Sequence, residues 1–379
     1  MQSVRTGDDI GDSGMKPFFS KRRALLAALP AMAIADQAPA KNSAVAAPAA
    51  VRPDYAMAFP RDHGSHPAHR IEWWYVTGWL HSQGRPETGF QITFFRARPR
   101  LKPGNPSRFN PEQVIIAHAA IADRRQGRLI HAQRAAREGF GLAGSVQENT
   151  RVWIDDWQLI RDGEIYRTHI AAPALGLALT LAPTQPPLLQ GANGYSRKGP
   201  QPESASHYYS LPHLAVSGTL RADDRAHAVA GSAWLDHEWS SSYLDPDAAG
   251  WDWIGINLSD GGAVMAFRMR NRRGGLLWAG GAHRDARGTV RNFNPDEVQF
   301  TAVRRWRSPR TATEYPVAFE VRAGALRFTV EPLMDDQEND TRATTGAVYW
   351  EGAVRARQQE RDIGRGYLEL TGYQQPLAL

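Results

Sequence analysis

Short strand-like segments separated by turn residues run along this chain from Tyr55 to the C-terminus. Residues 72–80 and 90–98 alternate apolar and polar side chains on either side of a polar turn, which predicts a β-hairpin. Similar segments follow as far as Leu181, and apolar residues at helical spacing are almost absent. Many short strands at regular intervals predict an all-β chain, built as a sandwich or a barrel.

A stretch rich in proline, glycine and serine interrupts the strand pattern at residues 183–212, which predicts a long functional loop or a domain boundary. On each side of it, an acid followed by tryptophan precedes a strand that ends in arginines. The two copies are Glu72-Trp73 with residues 94–98, and Asp252-Trp253 with residues 266–270. We interpret this repeated pattern as two related β-domains in tandem, spanning residues 51–213 and 214–379. Chance similarity between tryptophan-rich strands is the alternative.

Composition excludes several kinds of chemistry. The 379 residues include no cysteine, so disulfides, thiolate nucleophiles and cysteine metal sites are impossible. The lack of cysteine does not exclude export, because disulfides are permitted outside the cytosol but not required. The formal net charge is +6, and the arginines are scattered, often beside acids. This distribution indicates a mixed, solvated surface and predicts no nucleic-acid partner.

Residues 1–50 predict a targeting segment and a linker. Lys21, Arg22 and Arg23 precede an apolar run over residues 24–35 that ends in small residues, as is typical of a secretory signal, and the paired arginines resemble a twin-arginine signal. The run is too short to span a bilayer, so we expect no stable membrane span. We therefore expect a periplasmic or secreted mature protein. An amphipathic anchor or an uncleaved tether is the alternative.

The densest group of titratable and aromatic residues lies within residues 233–267, where Asp236, His237, Glu238 and Trp239 are consecutive. On an extended strand alternate residues share a face, so the two acids face one side and His237 and Trp239 the other. Acids packed among large aromatics have shifted pKa values. The pattern predicts an apolar pocket with a proton donor in its wall. A buried polar network that only holds the end of a strand is the alternative.

A second acid-aromatic group follows at Trp251, Asp252 and Trp253. The same alternation places both indoles on one face of a strand and the carboxyl of Asp252 on the other. The two tryptophans are either part of a cavity wall or ordinary core residues. The other candidate substrate-binding residues are Glu72, Trp73, Trp74, Tyr75, Tyr208, Tyr209 and Tyr243.

Three histidines, His63, His66 and His69, are spaced at i, i+3 and i+6 on a proline-containing segment. Histidine spacing alone is poor support for zinc, so we expect these residues to be structural and predict no metal and no cofactor. The sequence also has no phosphate-binding glycine loop and no Gly-x-Ser-x-Gly elbow typical of serine hydrolases.

Six segments resemble carotenoid 1,2-hydratase (hydroxyneurosporene synthase) and the related AttH-like exported proteins. They are HRIEWWYVTGWL, GYSRKGP, AWLDHEWSSSYLDP, GWDWIGINL, EPLMDDQE and TGAVYWEGAV. The resemblance covers residues 55–379 and implies two tandem lipocalin-like antiparallel β-barrels, a fold that can enclose one small apolar ligand. Many members of this group are described as secreted hydrolases or as components of Att-type ABC export systems.

For the hydratase members, the resemblance implies acid-catalysed addition of water to a terminal isoprenoid double bond. The His-x-Trp element of the family matches His237 and Trp239. We expect Asp236 or Asp252 to donate the proton and His237 to orient the acid or the water. An aromatic wall would stabilise the carbocation, formed by Trp239, Trp251 and Trp253. The catalytic candidates are Asp236, His237, Glu238 and Asp252.

A non-catalytic function remains open beside this one. The same kind of barrel can carry a lipid or another hydrophobic ligand, here for an ABC export system. Acids that face the same cavity as the tryptophans favour catalysis on a small apolar substrate by hydration or cyclisation. Acids that point away into arginine pairs favour binding without turnover. Hydrolase activity is a weaker third option.

Overall fold

The computed structural model describes residues 47–99 and 111–377. The predicted signal segment and all but the last residues of the predicted linker lie outside the described residues. Within the described ranges, no helix is both long and apolar enough to cross a membrane. The helical content described is two short 3-10 helices, at Arg61–His63 and Pro295–Glu297. The expected all-β class is confirmed.

The N-terminal barrel is a sheet of 13 strands within the described residues. In chain order the strands are β1 (Ile71–His81), β2 (Thr88–Ala97), β3 (Val114–Asp123), β4 (Ile130–Arg137), β5 (Ala143–Ser145), β6 (Arg151–Ile154), β7 (Trp157–Asp162), β8 (Ile165–Ala171), β9 (Gly176–Ala182), β10 (Leu188–Leu189), β11 (Tyr195–Arg197), β12 (Ala205–Ala222) and β13 (Arg225–Ser242). They pair antiparallel in the order β4-β3-β2-β1-β13-β12-β9-β8-β7-β6-β5. The edge strands β4 and β5 contact each other, so the sheet nearly closes.

The C-terminal barrel has 10 strands among the described residues. They are β14 (Ala248–Leu258), β15 (Ala263–Asn271), β16 (Leu276–Arg284), β17 (Val290–Phe293), β18 (Val298–Arg307), β19 (Glu314–Ala323), β20 (Leu326–Pro332), β21 (Glu338–Asp340), β22 (Val348–Gln358) and β23 (Arg361–Leu370). Their order is β17-β16-β15-β14-β23-β22-β20-β19-β18, with β18 packed near β16. The two sheets together form the expected tandem lipocalin-like architecture.

The chain passes from the first sheet to the second between Ser242 and Ala248. The boundary predicted between residues 213 and 214 therefore falls inside β12, which pairs with β13 along both of its halves. The proline-rich stretch is not a linker, because β10 and β11 within it pair with β12. Residues 214–242 complete the N-terminal barrel, and the sequence signal at 183–212 marks a loop that folds back onto its own sheet.

Alternation along the strands produces three buried clusters. One fills the N-terminal barrel and another fills the C-terminal barrel. A third lies where β1, β12 and β13 face β14, β22 and β23, and it includes Trp79, Trp234 and Trp253. Each of these strands is therefore apolar on both faces, one toward its own barrel and one toward the other barrel. That double burial explains why so many tryptophans occur in so few strands.

The repeated acid and arginine residues of the sequence occupy the same position in each barrel. Glu72 on β1 lies opposite Arg96 on β2, and Asp252 on β14 lies opposite Arg268 on β15. Each pair forms a short ion pair, at 2.8 Å for Glu72 and 2.6 Å for Asp252. The repeated acid and arginine are therefore cross-strand partners in the first hairpin of each barrel.

Candidate functional site

The two faces of β13 separate the consecutive residues 236–239 as alternation predicts. Asp236 and Glu238 face the cluster between the barrels, where both line a cavity. His237 and Trp239 face the interior of the N-terminal barrel, and both are fully buried there. The predicted proton donor and the predicted histidine are therefore on opposite sides of one sheet.

The inter-barrel cavity has a volume of about 340 Å³ and receives residues from both sheets. This size lies in the range of pockets that hold small organic ligands. The predicted site residues that line it are Glu72, Trp73, Tyr75, Tyr208, Asp236, Glu238, Tyr243, Trp251 and Trp253. The structure thus brings together nine of the fourteen predicted residues, from β1, β12, β13 and β14 and the segment that joins the barrels.

The aromatic wall of this cavity is fixed by its own contacts. The Trp253 indole donates a hydrogen bond to the Tyr208 hydroxyl at 3.2 Å and meets the Tyr75 ring edge-on at 5.5 Å. Tyr243 packs edge-on against Trp73 at 5.0 Å and against Trp251 at 5.5 Å. Rings fixed in this way can stabilise a nearby positive charge through their π faces without having to reorganise.

Asp236 is a buried carboxyl that carries no ion pair among the described residues. Its Oδ1 accepts hydrogen bonds from the Ser210 hydroxyl and the Trp234 indole, each at 2.6 Å. Burial raises the pKa of Asp236 to about 7, because the charged form loses its hydration. The carboxyl predicted from the sequence as a proton donor therefore lies in the cavity with a pKa near neutrality.

Glu238, two residues along the same face, has a different environment. Lys198 contacts its Oε1 at 2.9 Å, and the Ser206 hydroxyl donates to the same oxygen. The Lys198 ammonium also lies 4.6 Å from the centre of the Tyr208 ring and 4.4 Å from that of Phe267. Burial raises the pKa of Glu238, and the lysine opposes that shift. Glu238 and Lys198 form a buried ion pair in which each charge offsets the other, and Glu238 lines the cavity.

Glu351 and Glu369 complete the acidic lining from the C-terminal barrel. They are direct cross-strand partners on β22 and β23, and both line the cavity. Burial, and then the charge of Glu369, raise the pKa of Glu351 well above its usual range. Burial raises the pKa of Glu369 to about 7, although its Oε2 accepts a 2.9 Å hydrogen bond from the Trp251 indole. Two buried carboxyls side by side cannot both ionise near neutrality, so the pair retains a proton.

Replacing Glu369 by glutamine should reduce the pH dependence of stability. Its pKa rises from 4.5 to about 7 on folding. Between those two pH values the folded protein binds more protons than the unfolded chain, so the free energy of unfolding falls as pH rises. Urea titrations across this window should give a shallower fall for Glu369→Gln than for the wild type, and a more stable variant at alkaline pH. If the free energy of unfolding falls equally with pH in both proteins, the ionisation of Glu369 does not destabilise the fold.

The remaining predicted residues lie elsewhere. Within the N-terminal barrel, Glu72 Oε1 accepts from His237 Nε2 at 2.8 Å, and Tyr209 bonds the other nitrogen of that ring at 3.1 Å. Trp74 and Trp239 stand on either side of His237, with ring centres at 4.7 and 5.0 Å. Glu72 also borders the cavity, but its carboxylate is bonded to His237 and Arg96 within the barrel. These five residues form a separate polar cluster, so His237 does not orient a cavity acid directly.

Asp252, the other predicted proton donor, does not line the cavity. Its side chain lies inside the C-terminal barrel, on the opposite face of β14 from Trp251 and Trp253. It bonds Arg268 at 2.6 Å, Arg270 at 3.1 Å and the Tyr373 hydroxyl at 2.9 Å. These contacts hold the hairpin together, and Asp252 is not among the residues that line the cavity.

Sequence reasoning missed the two acids that line the cavity from the C-terminal barrel, Glu351 and Glu369, and it missed Lys198, which pairs with the lining residue Glu238. Glu369 stands between two leucines and Glu351 follows Tyr349-Trp350, so both are isolated acids in apolar strands. That isolation was the available signal, because a lone acid in a strand buried on both faces must meet a partner or a cavity. Lys198 lies in the motif GYSRKGP but gives no local indication that it is buried.

Comparisons with known proteins agree on one family and one fold. The AttH-like family model matches residues 50–373. A crystal structure of an AttH candidate from Nitrosomonas europaea is 51% identical, with a TM-score of 0.81, over 86% of this chain and 99% of that one. No protein among those with curated functions matches this chain.

Two more distant structures share the architecture. Kievitone hydratase from Nectria haematococca gives a TM-score of 0.64 at 12% identity, covering 83% of this chain and 93% of the other. CghA, solved with Sch210972, gives a TM-score of 0.50 at 12% identity, covering 82% and 89%. At these identities the similarity establishes a common fold.

Proposed function

We propose, from the premise that this chain belongs to the AttH-like family, that it is an enzyme acting by acid catalysis in the inter-barrel cavity. The reaction is addition of water to a carbon–carbon double bond of an apolar, isoprenoid-like substrate, or the related cyclisation. The observation that carries the proposal is the Glu351–Glu369 pair, which keeps a transferable proton inside an aromatic cavity. Proton donation to an alkene requires an acid that is still protonated at the working pH.

The chemical steps balance without any added reagent. The carboxyl pair donates its proton to the less substituted carbon of the terminal double bond, and the π electrons of the double bond form the new C–H bond. The neighbouring carbon becomes a tertiary cation, and the pair gains one negative charge. Water adds to the cation through its oxygen, and the proton that it releases returns to the pair. The product is a tertiary alcohol.

The cavity supplies the other requirements of this reaction. Aromatic faces stabilise a cation by about 0.5–2 kcal/mol per contact, and Trp251 and Trp253 are both in the wall. Asp236 lines the same cavity with one oxygen fixed by Ser210 and Trp234. We expect this carboxyl to accept a hydrogen bond from the attacking water and so to position it.

One of the distant structures supports the reaction class by its name, and the other supports an organic ligand. Kievitone hydratase is named for a hydration, and CghA was solved with the organic compound Sch210972. The sequence resemblance to carotenoid 1,2-hydratase points to the same chemistry on an isoprenoid. More specifically, we propose that the substrate is a carotenoid whose terminal alkene occupies the cavity.

Incorporation of labelled oxygen tests the proposal. Purified protein is incubated separately with kievitone and with neurosporene in water labelled with heavy oxygen, and the products are separated and weighed by mass spectrometry. We expect a product that has gained one labelled water, or an isomer of unchanged mass if the cation is captured intramolecularly. Recovery of both compounds unchanged, together with an unchanged apolar molecule in the purified protein, would favour the carrier function instead.

Export and service to an ABC export system are proposals that rest on residues 20–35 and on the resemblance. The periplasm or the exterior is the compartment that these features predict. A reporter enzyme fused after residue 50 should be active only outside the cytosol if the segment directs export. Cytosolic retention of the fusion would contradict it.

A further inference from the structure

A second group of polar residues lies inside the N-terminal barrel, on the opposite face of β13 from the cavity. Its centre is Glu72 Oε1, which lies 2.7 Å from His66 Nδ1 and 2.8 Å from His237 Nε2. These three atoms all lie within 4.8 Å of one another. We propose that they bind one divalent transition-metal ion of the zinc class, a site that the spacing of His63, His66 and His69 did not predict.

The outer contacts of each side chain select the atom that faces the centre. His66 Nε2 faces the Asp62 carboxylate at 3.4 Å, which leaves Nδ1 for the ion. His237 Nδ1 bonds the Tyr209 hydroxyl at 3.1 Å, which leaves Nε2. Zinc-binding histidines have this arrangement, since a carboxylate or another polar group holds the second ring nitrogen and sets the tautomer.

Glu72 follows the same rule. Its Oε2 accepts hydrogen bonds from Arg96 Nε and from the His66 backbone amide, both at 2.8 Å, so Oε1 is the oxygen presented to the two imidazoles. The Arg96 side chain is fully buried beside it and balances the carboxylate charge. The three inward-facing atoms therefore belong to side chains whose other polar atoms already have partners.

The two rings are also held against rotation. The Trp239 indole stacks on the His66 ring at 3.7 Å with an interplanar angle of 5°, and the Trp74 indole stacks on His237 at 4.7 Å. Asp62 is itself fixed by Tyr55 at 2.9 Å and by the Ala58 amide at 2.7 Å. Such preorganisation reduces the entropy lost when ligands gather around an ion.

Two histidines and one carboxylate form the ligand set of catalytic-type zinc sites, in which a water completes the tetrahedron. Nitrogen and oxygen ligands about 2.0–2.1 Å from zinc lie about 3.4 Å apart at tetrahedral angles, so each imidazole nitrogen must move about 0.6–0.7 Å further from Glu72 Oε1. The ion replaces two N–H···O hydrogen bonds. It ties the segment carrying His66 to β1 and β13, which carry Glu72 and His237.

The test uses tag-free, chelator-treated protein titrated with zinc chloride alone and with cobalt(II) chloride alone. We expect one equivalent of zinc by calorimetry, a melting temperature that rises with zinc concentration, and visible cobalt bands typical of low coordination number. His66→Gln should abolish all three signals. The matched control is His81→Gln, which removes an exposed histidine from the end of β1 and should leave all three signals intact.

Absence of stoichiometric zinc binding in the wild type would overturn the proposal. So would binding by His66→Gln equal to that of the wild type, which would show adventitious binding at surface histidines. If His66→Gln does not fold, X-ray absorption of the wild-type cobalt protein decides the matter. Two imidazoles per ion support the site, and coordination by water alone refutes it. None of these measurements requires catalytic turnover.

Discussion

Replacing Glu351 or Glu369 by glutamine is expected to lower the rate of product formation by about 100- to 10,000-fold, the usual contribution of general acid catalysis. Each change keeps the shape of the side chain and removes one of the two neighbouring carboxyls that hold the transferable proton. The measurement is initial rate at saturating substrate in the labelled-water assay. Because the two carboxyls act as a unit, the double variant should lose little more than either single one.

The matched control for these variants is Glu314→Gln, which changes an exposed acid on β19 of the same barrel. We expect wild-type rates for it. If Glu351→Gln and Glu369→Gln both retain rates within threefold of Glu314→Gln, roughly the scatter of ordinary surface changes, the pair is not the proton donor. Loss of rate in the Glu369 variant alone would assign the donor to Glu369 and leave Glu351 as a neighbouring carboxyl that does not donate.

The largest expected effect on stability is that of Arg96→Met. The Arg96 guanidinium is fully buried, bonds Glu72 at 2.8 Å and Gln113 at 2.7 Å, and donates to the carbonyls of His66 and His69. Its removal leaves a buried carboxylate without its arginine and two carbonyls without donors. Breaking a buried pair in this way costs about 3–5 kcal/mol, which urea unfolding should measure directly.

Arg304→Met provides the comparison for that prediction. Arg304 pairs with Asp335 at the surface, where both side chains are more than 40% exposed. An exposed pair contributes about 0–1 kcal/mol, so this variant should unfold at nearly the wild-type urea concentration. If Arg96→Met lowers the free energy of unfolding as little as Arg304→Met does, burial of Arg96 does not matter and the barrel interior tolerates an unpaired Glu72.

The sequence predicted the strands and the faces of the strands, because alternation is a local property. The hairpin at 72–98, the split of Asp236 and Glu238 from His237 and Trp239, and the shared face of Trp251 and Trp253 all follow from a period of two residues. The sequence also predicted the tandem repeat, and the structure places its two acid and arginine pairs in equivalent hairpins.

The sequence could not tell which face meets which partner. Both faces of β13 are buried, so alternation separates Asp236 from His237 but does not say that one faces a cavity and the other a barrel interior. The domain boundary was misplaced for a related reason, because β12 and β13 continue the first sheet beyond the proline-rich stretch. Glu351 and Glu369 enter the site through pairing between strands that are distant from β13 in sequence.

We expect the inter-barrel cavity to hold a protonated carboxyl at neutral pH. Infrared difference spectra, recorded as pH is raised from 4.5 towards 8, measure the carbonyl band of protonated carboxyls without any substrate. We predict a band that persists beyond the usual range of glutamic acid and disappears with a midpoint at or above about 7, the raised pKa of Glu369. Glu369→Gln should shift or reduce this band. Complete loss of protonated carboxyl signal near pH 4.5 in the wild type would contradict the account.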